Sequence, residues 1–189
     1  IPQFMETVPA YSFRNFNNLK EVVIPSSVTK IEDYAFAGCK SLKKIEISAS
    51  VTHIGDFAFS ECKSLRQVKM NILHFLTHIG NYAFNKCISL KKIRIPYTVI
   101  NIGESAFSEC KSLTQISIPS SVTHIGNSCF YCCQSLDEIT LPSSITKIGD
   151  SVFFNCSSLS EIIIPPTVIE IGNFSFYFCS MLIHIVIPS

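Results

Sequence analysis

The chain predicts an α/β solenoid, with a parallel sheet on one face and short helical or 3-10 turns and loops on the other. Three observations carry this. A phenylalanine is followed three residues on by a cysteine and six residues on by a leucine in seven places, from Phe36-Cys39-Leu42 to Phe176-Cys179-Leu182. These triplets recur every 23 residues, with one 25-residue step between Phe59 and Phe84, and an eighth copy survives as Phe13-Phe16-Leu19. Self-similarity at such a period marks stacked units, none of which buries its apolar face alone. Each copy also closes on an apolar-x-apolar pair, such as Ile45/Ile47 or Ile116/Ile118, which is the period-two pattern of a strand with one face in. The eight copies occupy residues 1–189 as a single domain and leave no room for a second.

Pro119–Leu141 serves as the type copy. Leu136, Ile139 and Leu141 form its strand, and a proline follows in most copies (Pro25, Pro96, Pro119, Pro142, Pro165), because a residue with no N–H to donate stops a strand. A second apolar pair, Val122 and Ile125, has a spacing that fits either a strand or a turn. The glycine after it (Gly55, Gly80, Gly103, Gly126, Gly149, Gly172) is expected to supply a positive φ. The Ala-Phe-x-x-Cys-x-x-Leu stretch is too short for a long helix, and one helical or 3-10 turn would aim Ala, Phe and Cys inward. Stacked strands about 4.8 Å apart give a parallel sheet on the order of 40 Å long, with right-handed crossovers. The extra residues in Asn71–Leu76 predict a bulge outside the stack, with Ile72, Leu73 and Phe75 covering the core edge. The last copy is unusually apolar (Phe174, Phe176, Tyr177, Phe178, Met181, Leu182), which predicts an association edge or its cover by Tyr177 and Phe178. The same phase of the repeat, Ile-Pro, stands at both ends, as expected for a piece of a longer array.

The repeat, written Pro-x-Ser-Val-Thr-x-Ile-Gly-x-x-Ala-Phe-x-x-Cys-x-Ser-Leu-x-x-Ile-x-Ile, resembles the BspA-type leucine-rich repeat over all eight copies. The resemblance implies a curved, right-handed leucine-rich-repeat solenoid. It further implies a non-catalytic protein of the cell surface or a secreted one, since members occur on anaerobic bacteria and in parasitic protists and several are adhesins. It does not identify a ligand.

Composition and motifs narrow the chemistry. The formal net charge of +1, from 15 basic and 14 acidic residues, argues against nucleic acid as a partner. No apolar run reaches the 18 or so residues of a membrane-spanning helix. Seven of the nine cysteines share the repeat column and are read as reduced core thiols, with Phe16 in the same slot suggesting that apolar volume is what the column needs. Cys129-Phe-Tyr-Cys132 has redox or zinc spacing but no partner pair. His53, His78 and His124 share a column with lysine, asparagine and glutamate, which reads as solvated, and two histidines are only half a zinc site. The acidic residues lie in variable columns, and no catalytic, metal or cofactor constellation stands out. The sequons at Asn155 and Asn173 carry no weight in a chain rich in Asn and Ser.

The outward strand positions are the informative ones. Rungs two to four present Lys43, Lys44, Glu46; Arg66, Gln67, Lys69; and Lys91, Lys92, Arg94. Rung five is neutral (Thr114, Gln115, Ser117). Rungs six and seven carry Asp137, Glu138, Thr140 and Ser160, Glu161, Ile163, and rung eight Ile183, His184, Val186. The basic set (Lys43, Lys44, Arg66, Lys69, Lys91, Lys92, Arg94) is the candidate docking site for a protein or an acidic glycan. A spacer with no ligand, in a larger surface protein, is the alternative.

Overall fold

A computed structural model describes residues 1–2, 4–70 and 75–187. Its described strands, β1 to β15 in chain order, alternate between two parallel sheets. The longer strands form at the Ile-x-Ile ends: β2 (Glu21–Val23), β4 (Lys44–Ile47), β6 (Gln67–Met70), β9 (Gln115–Ser117), β11 (Glu138–Thr140), β13 (Glu161–Ile163) and β15 (His184–Val186). Rung four contributes only Lys92, which bridges Gln67 to Gln115. The second apolar pair, which the sequence leaves open, is a second sheet. Its two-residue strands are β1 (Thr7–Val8), β3 (Lys30–Ile31), β5 (His53–Ile54), β7 (His78–Ile79), β8 (Asn101–Ile102), β10 (His124–Ile125), β12 (Lys147–Ile148) and β14 (Glu170–Ile171). Register is strict in both sheets: Ile31 faces Ile54 and Ile54 faces Ile79, while Ile45 faces Val68. Like residues therefore stack into continuous buried columns, with Phe36, Phe59, Phe84, Phe107, Phe130 and Phe153 fully buried and their rings parallel, 5.2–5.8 Å apart.

Two expectations about the third side fail. There is no helix or 3-10 segment among the described residues, so the fold is a β-solenoid rather than an α/β one. The Ala-Phe-x-x-Cys stretch is a chain of tight turns whose N–H groups alternate in destination. Those of Ala35, Ala37 and Cys39 donate to carbonyls three residues back, and those of Tyr34, Phe36 and Gly38 donate to the next rung. Left-handed residues interrupt any helical run. Tyr34, Phe57, Tyr82, Ser105, Ser128 and Ser151 have φ of 52–57° before the Ala column, and Glu61, Lys86, Glu109, Cys132 and Asn155 have 54–58° before the Cys column.

The glycine column, by contrast, is not left-handed, and only Gly38 has a positive φ among the glycines. The column is glycine because the rung below comes too close. A Cβ on Gly103 would lie 2.6 Å from both Asn81 N and the Gly80 carbonyl carbon.

Both sheets are interrupted at one place. Among the described residues, β10 and β12 exchange no backbone hydrogen bond, nor do β11 and β13. Here the Ala column (Ala35, Ala58, Ala83, Ala106) changes to Cys129 and Val152, both buried on facing rungs. The turn side still holds, with Ser128 N–H on Asp150 O at 2.8 Å and Cys132 N–H on Phe154 O at 2.7 Å. Rungs six and seven are thus joined by turns and core packing, without sheet bonds.

Of the insertion, Asn71–His74 lie outside the described residues. Leu76 fills the buried valine column, but Phe75 is 66% exposed and does not cover the core edge as expected. In the last rung Phe174, Tyr177, Phe178 and Met181 are exposed; Tyr177 and Phe178 pack on each other and on Phe154 rather than closing over the end.

Candidate functional site

Most polar positions of the repeat have a structural job, which removes them from the search. Each columnar thiol donates to the carbonyl of the phenylalanine one rung back: Cys62 to Phe36 O, Cys87 to Phe59 O, Cys110 to Phe84 O and Cys156 to Phe130 O, all at 3.2 Å. The hydroxyls after the proline do the same for the apolar column, as with Ser121 on Val99 O at 2.7 Å and Thr167 on Ile145 O at 2.8 Å. The acidic and amide residues after the glycine accept from the next rung, as with Asp33 Oδ1 from Asp56 N–H at 2.8 Å and Asp56 Oδ1 from Asn81 N–H at 2.7 Å. Turns leave backbone groups without sheet partners, and buried groups must be paired; these side chains pair them. The carboxylates Asp33, Asp56 and Asp150 are therefore structural ladder members, a column that reading by composition does not reveal.

The same geometry revises the cysteine argument. Phe16 is 55% exposed, so it does not share the buried slot, and the column selects a small buried donor rather than volume alone. All nine cysteines are free. Burial pushes the thiols of Cys87, Cys110, Cys129, Cys133 and Cys156 up from their ordinary range. Only Cys132 and Cys179 are half-buried rather than enclosed. In native protein a thiol reagent should therefore modify Cys132 first and Cys179 more slowly, with the rest reacting only after denaturation, because the thiolate is the nucleophile. Rapid loss of seven or more thiols under native conditions would contradict this burial.

The remaining motifs stay apart. Cys129 fills the small core column, whereas Cys132 sits in a left-handed turn accepting from Asn155 Nδ2 at 3.5 Å. His53 and His78 stack at 4.9 Å. The hydroxyls of Thr52 and Thr77 are spent on Thr29 O and Thr52 O, so each Nδ1 carries its proton toward the neighbouring threonine, at 2.8 and 2.9 Å. Burial, His78 and Lys30 lower the His53 pKa. Among the described residues no third ligand joins them.

Sequence reasoning missed an aromatic column on the turn side. Tyr11, Tyr34, Phe57 and Tyr82 stack with centroids 4.6–4.9 Å apart, and the Arg14 guanidinium lies 5.7 and 5.5 Å from the first two rings. The repeat spacing of these rings was visible, but serine replaces them at Ser105, Ser128 and Ser151, before Phe174 restores an aromatic, and hides the column.

What is left without a structural job is the outward face of the longer strands. Lys43, Arg66, Lys69, Lys91, Lys92 and Arg94 are exposed and Lys44 is half-buried. Among the described residues none of the seven is in an ion pair; the pairs that form involve Lys30, Lys86, Lys147 and His184. Glu46, two residues along β4 from Lys44 and opposite Lys69 in register, forms an ion pair with neither. A hollow of about 840 Å³ lies on this face, lined by Arg66, Lys91, Lys92 and Arg94 together with Gln67, Gln115 and Tyr97. A second hollow, of about 800 Å³, is lined by Asp137, Glu138, Glu161 and the exposed Ile163. Glu138 lines both hollows and accepts from Gln115 Nε2 at 3.1 Å, so the basic and acidic ends of the face meet at rung six. The arrangement offers charge and hydrogen bonding to a ligand.

No functionally curated protein matches this chain. Among solved structures, a leucine-rich repeat protein of Bacteroides ovatus superposes with a TM-score of 0.85 at 32% identity, over 93% of this chain and 47% of that one. A leucine rich cell surface protein of Faecalibacterium prausnitzii gives 0.81 at 33%, over 87% and 46%. A leucine-rich repeat protein of T. pallidum gives 0.80 at 30%, over 89% and 80%. The chain therefore spans about half the length of the first two. The profile of the BspA type leucine rich repeat region matches residues 1–76 and 77–189 in six copies. With the repeat, the two-sheet solenoid and these matches in agreement, the chain belongs to the BspA-type leucine-rich repeat family.

Proposed function

We propose that this chain is a non-catalytic binding module of a surface or secreted protein, which recognises a protein or an acidic glycan through the outward face of the longer strands. One observation carries the reading: among the described residues, the side chains of seven cations on three adjacent rungs make neither ion pairs nor rung-to-rung hydrogen bonds. Repeat arrays commonly bind on an extended sheet surface, and unpaired like charges held together are a cost that a partner of opposite sign removes. The name of the F. prausnitzii relative, a cell surface protein, supports the location.

The test is binding of the folded chain to arrayed matrix proteins and glycans. Binding that disappears when Lys91 and Arg94 are changed to Glu, and persists when Lys111 on the turn side is changed to Glu, supports the module. The absence of any ligand, with unchanged folding, would favour the spacer.

A further inference from the structure

We infer that the basic rungs bind a sulfated polysaccharide rather than an acidic folded protein, an inference that rests on the sheet-face reading above. Three features separate the two ligands. First, protein interfaces are anchored by central aromatic or aliphatic side chains and are depleted in lysine. The nine outward positions of rungs two to four hold five lysines, the two arginines Arg66 and Arg94, and otherwise only Gln67 and Glu46, with no large apolar residue. The apolar strand residues Ile45, Val68 and Ile93 are buried beneath. Second, the exposed apolar residues of the same face that could anchor a protein lie outside these rungs, at Val23 on rung one and at Ile163, Ile183 and Val186. Third, the polar border suits a hydroxylated chain. Gln67 carries an amide that both donates and accepts, Gln115 keeps its amide oxygen as an acceptor while its Nε2 donates to Glu138 Oε2 at 3.1 Å, and Ser117 adds a hydroxyl in the same hollow. Tyr97, 67% exposed on that border, gives a sugar ring an apolar face to rest on. A nucleic acid strand would want several such rings for its bases, and the hollow has this one.

The cations are spaced by the fold at about 4.8 Å across rungs and about 6.6 Å between alternate positions of one strand. That is a two-dimensional field for an extended polyanion, and its arginines present planar forks to oxyanions.

The experiment uses the whole folded chain and a size-fractionated heparin oligosaccharide, its chemically desulfated counterpart and a polyglutamate peptide, titrated at several salt concentrations. The heparin oligosaccharide should bind with a log–log salt slope of up to about 5, at roughly 0.7 per engaged cation as for a flexible polyanion. R66E/K91E/R94E should weaken it by about tenfold or more, since each reversal removes a contact and adds a repulsion, while K111E changes it little and circular dichroism confirms that both variants fold. The desulfated oligosaccharide should bind far more weakly. Polyglutamate binding as tight as the sulfated probe, with the same dependence on Arg66, Lys91 and Arg94, would overturn the glycan while leaving the sheet-face module standing. No binding of the sulfated probe at low salt would overturn it outright, and indifference of all three probes to the triple variant would sink the sheet-face reading as well.

Discussion

Gly126→Ala should lower stability by about 3 kcal/mol, whereas Gly149→Ala, one repeat along in the same column, should fall within about 1 kcal/mol of the parent. A Cβ on Gly126 would meet backbone: Glu104 N, the Gly103 carbonyl carbon at 2.5 Å and Glu104 Cα at 2.6 Å. Backbone of a hydrogen-bonded rung cannot step aside without opening the ladder, here Gly126 N–H to Ile102 O at 2.8 Å. On Gly149 the added atom meets only the side chain of Asn127 at close range, with the nearest backbone atom 3.5 Å away. The difference arises because Gly149 lies at the interruption between rungs six and seven, where the sheets are already apart. Its φ is not left-handed, so alanine also gains the roughly 0.4–1 kcal/mol that comes from a stiffer unfolded chain. The column does accept a side chain where the rung below is plain: Glu32 occupies it above Pro9 and Ala10, with no Asx cap beneath. Urea midpoints of the two variants check this. Equal losses at both positions would mean that the interruption is not real in solution.

These glycines show where sequence reading stops. The 23-residue period made the stack, the Ile-x-Ile strands and the Phe and Leu columns legible, because burial of like residues on like residues is a one-dimensional pattern. The second sheet was not, since its strands are only two residues long, as in His124–Ile125, and leave no alternation to read, while Val122 lies before the strand. The glycine column was misread because glycine answers two different needs, a left-handed φ and a close approach, and only coordinates separate them. The left-handed positions are instead taken by Tyr34, Glu61, Lys86 and Ser128, residues that do not advertise the conformation. Lys44 and Lys69 were legible as strand positions on the outer face, because strand alternation fixes direction, whereas Lys43 and Arg66 stand just before β4 and β6 and only Lys92 of rung four is bridged. The freedom of the seven basic residues from ion pairs was not legible, since it depends on where Glu46, Glu109 and Glu138 point.

Leu113→Ala, in the middle of the stack, should cost about 2–5 kcal/mol, and the upper part of that range is expected. Leu113 is fully buried between Leu90 and Leu136, which are fully buried in turn. A cavity in this column can shrink only if adjacent rungs approach, and rung spacing is fixed by the turn bonds on the far side, such as Phe107 N–H to Cys129 O at 3.0 Å. The hole therefore stays open, and its cost adds to that of the lost apolar burial. Leu182→Ala, in the half-buried last rung, removes the same atoms from a site already in contact with solvent and should cost less than half as much. Because each rung touches only its neighbours, a weak rung also divides the array. In the Leu113 variant, hydrogen exchange should rise in rungs five to eight more than in rungs one to three. The interruption after rung six leaves that side with fewer sheet bonds to hold it. A uniform rise across all rungs, or equal losses for Leu113→Ala and Leu182→Ala, would show that the stack unfolds as one body and that the break between β11 and β13 has no energetic weight.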